Sequence, residues 1–187
     1  MAYVYYECLK VLHVIMSYNR YFTNEQFDIP GEKCVFISHQ KKDKEVAKAI
    51  ADYILKAGIN IYFDEYDTSI DINDPKSVVA SIKLGIRRSS HMLCLLSRNA
   101  MESKWMPWEI GYGYDKTVLV GLTVKEIAKS TLPEYLQIIP VFRGTKSLNK
   151  FLEIVCNKTS WQMLNEGRYV AETTENHPLD KYLDWHL

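Results

Sequence analysis

Short, unbroken runs of apolar residues recur along the chain from residue 33 onward, separated by segments whose apolar positions follow a helical period. Such runs are typical of strands buried on both faces of a parallel sheet. Five strands are predicted, at residues 34–37, 59–63, 92–96, 118–122 and 138–142. The chain therefore alternates strand and helix, which indicates an α/β fold.

The segments between these strands predict amphipathic helices. Asp43 begins the first, which carries a clear apolar stripe, and Ala57-Gly58 ends it. Ser77 is expected to cap the second helix, and Ser103 to begin a third that runs to about residue 114. Right-handed crossovers then favour a flavodoxin-like three-layer sandwich, with a five-stranded parallel sheet in the order 2-1-3-4-5.

Two flanking segments differ from this α/β unit, which spans residues 32–156. Residues 1–31 are rich in tyrosine and carry apolar residues at helix-like spacing, so we predict an N-terminal helical extension there. Residues 157–187 mix polar residues with Trp161, Trp185 and other apolar side chains. We predict that this C-terminal extension forms one or two helices packed on the central unit.

Composition narrows the class of protein. The chain has 187 residues, of which 23 are Lys or Arg and 23 are Asp or Glu, so it lacks the basic excess of a nonspecific nucleic-acid binder. No apolar run reaches the roughly 18 residues that a membrane-spanning helix needs. The cysteines are widely spaced and the histidines lack metal-ligand spacing. We therefore expect a cytoplasmic protein with no structural disulfide, metal, nucleic-acid partner or membrane partner.

Polar side chains follow the predicted strands at the edge where a ligand is expected. In an open α/β sheet, ligands bind beyond the carboxyl ends of the strands, where the strand order reverses. The first strand ends in Ser38 and His39, and the second ends in Asp64. These three side chains are therefore candidates for a binding site.

The helix after the third strand adds two tryptophans and a glutamate. Trp105 and Glu109 are spaced i and i+4, hence on one face, and Trp108 is next to Glu109. An aromatic wall beside a carboxylate suits a ligand with a flat ring and a developing positive charge. The same spacing is typical of core tryptophans beside a solvated glutamate, so spacing alone leaves both interpretations open. Neither G-x-G-x-x-G nor G-x-x-x-x-G-K-[ST] is present, so no phosphate-binding loop of those types is expected.

Four motifs, taken in order, resemble those of TIR domains. Residues 34–39 (CVFISH), with Asp43 four residues on, resemble the first strand and its loop. Residues 61–65 (IYFDE) resemble the second strand and the start of the BB loop, and residues 93–97 (LCLLS) the third strand. Residues 103–109 (SKWMPWE) are similar to the S-x-W-x-x-x-E segment. The resemblance covers roughly residues 33–156.

This resemblance implies an enzyme that cleaves the nicotinamide–ribose bond of NAD+ and releases or cyclises the ADP-ribose. In TIR domains of this type the glutamate of the S-x-W-x-x-x-E segment is catalytic, which here implies Glu109. The substrate would be held by Trp105, which stacks on a base of the dinucleotide, and by Trp108, Ser38, His39 and Asp64. NAD+ is then a substrate, and no cofactor or metal is expected.

The resemblance also implies partners. The chain is similar to bacterial TIR proteins of Thoeris anti-phage defence systems, which make a cyclic ADP-ribose-type signal for a separate effector protein. TIR–TIR self-association is expected to complete the site. The acidic loop at residues 64–75 and the N-terminal segment are candidates for that contact.

Three other interpretations stay open. A nucleoside deoxyribosyltransferase-like N-glycosidase would share the sheet but use Glu109 as a covalent nucleophile. A non-enzymatic TIR–TIR interaction module would not need Glu109 at all. A response regulator is less favoured, because Asp43 lies too far beyond the first strand and Phe142-Arg143 stands where a lysine is expected.

Overall fold

The computed structural model describes residues 21–22, 33–63, 71, 73–125, 127–168 and 177–185. Within these residues one sheet has six strands, β1 Tyr21–Phe22, β2 Cys34–Ser38, β3 Asn60–Tyr62, β4 His91–Leu96, β5 Val118–Thr123 and β6 Val141–Arg143. Their order is β1-β3-β2-β4-β5-β6, and every neighbouring pair is parallel. Strands β2 to β6 therefore follow the order 2-1-3-4-5, which confirms the flavodoxin-like prediction.

Six α-helices accompany these strands in the described part of the chain. They are α1 Lys44–Lys56, α2 Pro75–Arg88, α3 Arg98–Met101, α4 Met106–Gly113, α5 Gly144–Cys156 and α6 Ser160–Asn165. The predicted cap of α2 is wrong: Asp74, not Ser77, caps it, and its carboxylate accepts hydrogen bonds from the backbone N–H groups of Lys76 and Ser77. Pro75 occupies the first turn, where its missing N–H costs little, so the helix begins three residues earlier than a cap at Ser77 predicts.

The sheet separates two apolar layers because side chains alternate along each strand. On β4, Leu93 and Leu95 face the layer built by α1, α5 and α6, whereas Met92, Cys94 and Leu96 face the layer built by α2 and α4. All five of these side chains are buried completely. The result is the predicted three-layer sandwich, and any residue of even number on β2 or β4 points toward α4.

Two glycines let the α2 and α4 helices approach the sheet closely. A Cβ at Gly85 of α2 would lie 2.5 Å from the ring of Tyr62 on β3, and one at Gly113 of α4 would lie 2.6 Å from Sδ of Met92 on β4. Both separations are shorter than van der Waals contact. The absence of a side chain at Gly113 therefore sets how near α4 lies to β4.

The flanking segments are described in part. Tyr21–Phe22 pairs with Ile61 and Tyr62 as an edge strand, so the helical prediction for residues 1–31 is wrong at these two residues. The remainder of that prediction lies outside the described residues. At the other end, α6 and residues 177–185 lie on the α1 and α5 layer, where Met163, Leu179 and Leu183 are buried. Among the described residues no helix is long and apolar enough to cross a membrane.

Two buried histidines make the stability of the fold sensitive to acid. Burial, assisted by the charge of Lys33, lowers the pKa of His91, and burial lowers the pKa of His177 despite nearby Asp180. Nδ1 of His177 also accepts a hydrogen bond from the Leu179 backbone N–H, which a protonated ring does not allow. Both imidazoles are therefore held in the neutral form.

We expect the free energy of unfolding to fall as the pH is lowered from about 7 to about 5.5, because the unfolded chain takes up these protons first, near the ordinary histidine pKa of about 6.5. The stabilising contribution of the two neutral histidines is fully present above that pKa, and it is lost as the pH falls toward their lower pKa values in the folded state. Urea titrations at pH 7.5 and pH 5.5 measure the change. His177→Gln should reduce the slope, and a wild type equally stable at both values would contradict the prediction.

Candidate active site

The start of helix α4 determines where the candidate carboxylate lies. Oγ of Ser103 accepts hydrogen bonds from the backbone N–H groups of Trp105 and Met106, each at 3.1 Å. The helix therefore begins at Met106 and ends at Gly113, so a helix after Ser103 is present but its predicted start is three residues too early. Met106 and Ile110 are buried against the sheet, which leaves Glu109 in the first turn, half-buried.

Ser38 and Glu109 are brought together by the structure. Ser38 is the last residue of β2 and, with an even number, points toward α4. Its hydroxyl donates a hydrogen bond of 2.5 Å to Oε2 of Glu109, within the range of a short charge-assisted O–H···O⁻ bond. Ser38 is buried, so this bond orients the carboxylate from beneath. The carboxylate is thus placed at the carboxyl end of the central strand β2, beside β4.

Cys94 lies beside this pair because β2 and β4 are in register at Ser38 and Cys94. Burial raises the pKa of the Cys94 thiol well above its usual range, the charge of Glu109 raises it further, and a hydrogen bond with Ser38 acts in the opposite direction. The thiol therefore stays protonated at neutral pH. A protonated, fully buried thiol is a poor nucleophile, so Cys94 contributes packing rather than covalent chemistry.

His39 occupies the next position along the rim. Its ring stacks on Phe63 with the centroids 4.6 Å apart and the planes 19° apart, and its Nδ1 lies 3.4 Å from the Ile37 carbonyl oxygen. This contact joins the ends of β2 and β3. Asp64 follows Phe63 directly in the sequence but lies outside the described residues, as does most of the acidic loop at residues 64–75. Binding roles for His39 and Asp64 stay predictions.

The two tryptophans are placed differently from one another. Trp105 precedes α4, is 47% exposed, and meets Trp108 edge to face with the centroids 5.9 Å apart. Trp108 is half-buried, stacks on Tyr112 at 5.9 Å, and has the ammonium of Lys83 5.9 Å from its ring. The indole of Trp105 is therefore the more accessible to a flat ligand ring, while Trp108 supports it from the helix surface. Substrate contact by either indole stays a prediction.

The residues that form this fold and its rim match a known protein family. A family model described as "TIR domain" matches residues 35–155, which is most of the chain. This chain belongs to the TIR domain family. The match begins within β2 and ends within α5, so it includes every element that forms the rim.

Curated relatives of this TIR domain include two bacterial proteins with named activities. "NAD(+) hydrolase TcpC" of Escherichia coli O6:H1 is 32% identical over 76 residues, which are 40% of this chain and 24% of that protein. "Probable 3' cyclic ADP-D-ribose synthase ThsB'" of Bacillus cereus is 30% identical over 140 residues, which are 69% of this chain and 67% of that protein. The chain thus spans about a quarter of the first relative and two thirds of the second.

Among solved structures, the TIR domain of the Toll-related receptor TRR-2 of Hydra magnipapillata is similar, with a TM-score of 0.48 and 14% identity. The similarity covers 72% of this chain and 98% of that one.

Sequence reasoning missed the polar links that hold the rim of this TIR domain together. The carboxylate of Asp43, almost fully buried, accepts hydrogen bonds from Oγ of Ser97 and from Nδ2 of Asn99, the latter at 2.6 Å. Nearby, Nε2 of Gln40 donates to Oγ of Ser103. These links tie the segment after β2 to the segments after β4. The predicted strand order was the available signal, because it places the ends of β2 and β4 side by side.

Tyr135 is a second residue that the sequence did not single out. Tyr135 packs against the apolar cluster that includes Cys94, and burial raises the pKa of its phenol. Tyr135 belongs to a short 3-10 turn, Glu134–Leu136, between β5 and β6. No periodic pattern marks such a segment, and only the tertiary fold shows that it packs against the layer that contains Cys94.

Proposed function

We propose that this TIR domain cleaves the nicotinamide–ribose bond of NAD+. The observation that carries the proposal is the half-buried Glu109 carboxylate, which Ser38 orients at the rim of the sheet, one helical turn beyond the exposed Trp105. The names of the two curated relatives, an NAD(+) hydrolase and a probable cyclic ADP-ribose synthase, support the same chemistry. The proposed reaction requires a single catalytic carboxylate rather than a pair of them.

Cleavage of this bond requires stabilisation of a developing positive charge more than it requires proton transfer. The nicotinamide of NAD+ is a cationic leaving group, so the C1'–N bond breaks with its electron pair passing to the ring nitrogen, and neutral nicotinamide departs. The ribose becomes an oxocarbenium ion, as in glycoside cleavage. A preorganised carboxylate at Glu109 stabilises this cation by electrostatic attraction and can accept hydrogen bonds from the ribose hydroxyls. The hydrogen bond from Ser38 fixes where that charge lies.

The second step decides the product. If water attacks C1' and loses a proton, the product is ADP-ribose, whereas attack by a ribose hydroxyl or an adenine nitrogen of the same molecule gives a cyclic product. We propose that the cyclic reaction dominates, in bacterial anti-phage defence, with the product acting on a separate effector protein. The half-exposed Trp105 would hold a base close and exclude water, and a second copy of this TIR domain would close the site from the side of residues 64–75.

The direct test is incubation of the purified full chain with NAD+, followed by chromatography and mass spectrometry of the products. We expect release of nicotinamide together with a product of the mass of ADP-ribose minus water. Turnover per chain should rise with protein concentration, because a neighbouring copy completes the site. Absence of nicotinamide release at every protein concentration would contradict the proposal, and ADP-ribose as the sole product would contradict its cyclic part.

Replacement of Ser38 by alanine tests the orientation of the carboxylate. We expect kcat to fall about tenfold, since a hydrogen bond to a charged group contributes about 1.5–3 kcal/mol and water is able to replace part of it. The melting temperature should change little, because the change removes one oxygen. Ser90→Ala is a matched control at the other end of the sheet, since Ser90 bonds the backbone of Cys34 and not Glu109. An unchanged kcat in Ser38→Ala would separate Ser38 from the chemistry.

A further inference from the structure

A cavity opens at the carboxyl ends of β5 and β6. Its volume is about 310 Å³, and its lining includes Thr123, Lys125, Ile127, Arg143, Gly144 and Asp184. That volume is at the lower end of the range found for small-molecule sites. Ser38, Trp105 and Glu109 are not among its lining residues. The cavity is therefore separate from the rim at which we place NAD+.

Two cationic side chains line this cavity. Arg143 is the last residue of β6 and is half-buried, and its Nε is buried without a hydrogen-bond partner in the part of the chain that the structure describes. Leaving a charged donor unpaired in this way is unfavourable, so an acceptor from a ligand would be stabilising. Lys125 is exposed, and its ammonium is anchored by donating to the Asp180 carbonyl oxygen.

The N-terminus of helix α5 opens onto the same cavity. The helix has 13 residues, its N-cap residue Arg143 provides no capping hydrogen bond from its side chain, and no acidic residue lies in its first turn. Gly144, which lines the cavity, has a positive φ of 80° and no side chain to obstruct the approach of a ligand to the backbone. The partial positive charge of a helix N-terminus favours bound anions, and phosphate in particular.

One acidic residue of the C-terminal segment also lines the cavity. Asp184 lines the cavity, and its carbonyl oxygen accepts a hydrogen bond of 2.8 Å from the Thr145 backbone N–H. The carbonyl oxygen of Tyr182 accepts another, of 2.8 Å, from the backbone N–H of Lys125. A carboxylate in this lining repels a bare anion but accepts hydrogen bonds from hydroxyl groups. The lining therefore offers cationic donors for a phosphate and a carboxylate acceptor for a neighbouring hydroxyl group.

We propose that this cavity binds a small sugar phosphate, at a site separate from that of NAD+. The phosphate would contact the Arg143 guanidinium, Lys125 and the first turn of α5, while a sugar hydroxyl donates to Asp184. An arginine fork matches phosphate oxygens well, and its Nε gains the acceptor that it otherwise lacks. The ligand would also connect β5 and β6 to the C-terminal segment, so binding should stabilise residues 177–185.

Isothermal titration of the full chain with ribose 5-phosphate and with inorganic phosphate, at constant ionic strength set by chloride, tests the site. We expect saturable binding of one ribose 5-phosphate per chain, more tightly than inorganic phosphate. Arg143→Gln should weaken it about tenfold or more. Lys125→Gln, at an exposed position that tolerates substitution, should weaken it as well. Lys150→Gln is the matched control, because it removes one positive charge from an exposed position of helix α5, outside the cavity lining.

Glu109→Gln should bind ribose 5-phosphate as the wild type does, which keeps this test independent of NAD+ cleavage. Hydrogen exchange in residues 177–185 should slow when the ligand is bound. The proposal is overturned by a lack of saturable binding, by equal affinity in Arg143→Gln and Lys150→Gln, or by displacement of ribose 5-phosphate with saturating NAD+. The last result would assign the cavity to the diphosphate of the substrate instead.

Discussion

Glu109→Gln is expected to lower the rate of nicotinamide release from NAD+ by about 10²- to 10³-fold or more, comparable to the loss of other preorganised electrostatic groups. Glutamine keeps the shape of the side chain and can still accept the hydrogen bond from Ser38, but it lacks the negative charge that stabilises the oxocarbenium ion. The fold should be unaffected, because Glu109 is half-buried in the first turn of α4 rather than in the core. Chromatography of the products measures the rate, and circular dichroism verifies the fold.

Glu102→Gln is the matched control for this experiment. Glu102 is exposed and lies just after α3. Its replacement by glutamine removes one negative charge from the same region of the chain. Its turnover should equal that of the wild type. Full activity in Glu109→Gln would refute the assignment of the site, and unchanged biological activity with no turnover in either protein would favour a TIR–TIR interaction module. A glycosyl adduct on Glu109 in the wild type would favour a deoxyribosyltransferase-like mechanism.

Asp43→Ala is expected to lower the free energy of unfolding by about 3 kcal/mol or more. Hydrogen bonds to charged groups contribute about 1.5–3 kcal/mol each, and Asp43 accepts one from Ser97 and one from Asn99. Ser97 is buried, so its hydroxyl would lose a partner away from water. Denaturant unfolding measures the change. Asp43→Asn keeps the volume and one acceptor oxygen, so the free energy of unfolding should fall by less than in Asp43→Ala.

An exposed aspartate on the next helix is the control for Asp43. Asp52 pairs with Lys48 of α1 at 2.7 Å, with both side chains more than two-fifths exposed. Exposed pairs of this kind contribute about 0–1 kcal/mol, so Asp52→Ala should be nearly neutral. Equal stability of Asp43→Ala and Asp52→Ala would show that the buried carboxylate does not hold the rim together. Activity per folded molecule should fall only in the Asp43 variants, because Asp43 joins the segments that carry Ser38 and Ser103.

The architecture was predictable because its strands are buried on both faces. Such strands read as continuous apolar runs, and right-handed crossovers leave few ways to order them. The approach of Ser38 to the α4 helix followed from that order alone. The periodicity misplaced two helix starts: Asp74 rather than Ser77 caps α2, and α4 begins at Met106 rather than at Ser103. Two or three hydrogen bonds decide such boundaries, and apolar spacing does not record them.

The sequence by itself determined the order of β2 to β6 and the meeting of β2 with the helix that carries Glu109, but not the edge strand β1. Only the tertiary structure decided that Ser38 bonds this carboxylate, that the Cys94 thiol beneath it stays protonated, and that Arg143 lines a cavity at the ends of β5 and β6 with its Nε buried. The reason is physical. Periodicity reports which face of an element is apolar, whereas a hydrogen bond or an orphaned donor depends on atoms that are far apart in the chain and are brought within 3 Å by packing.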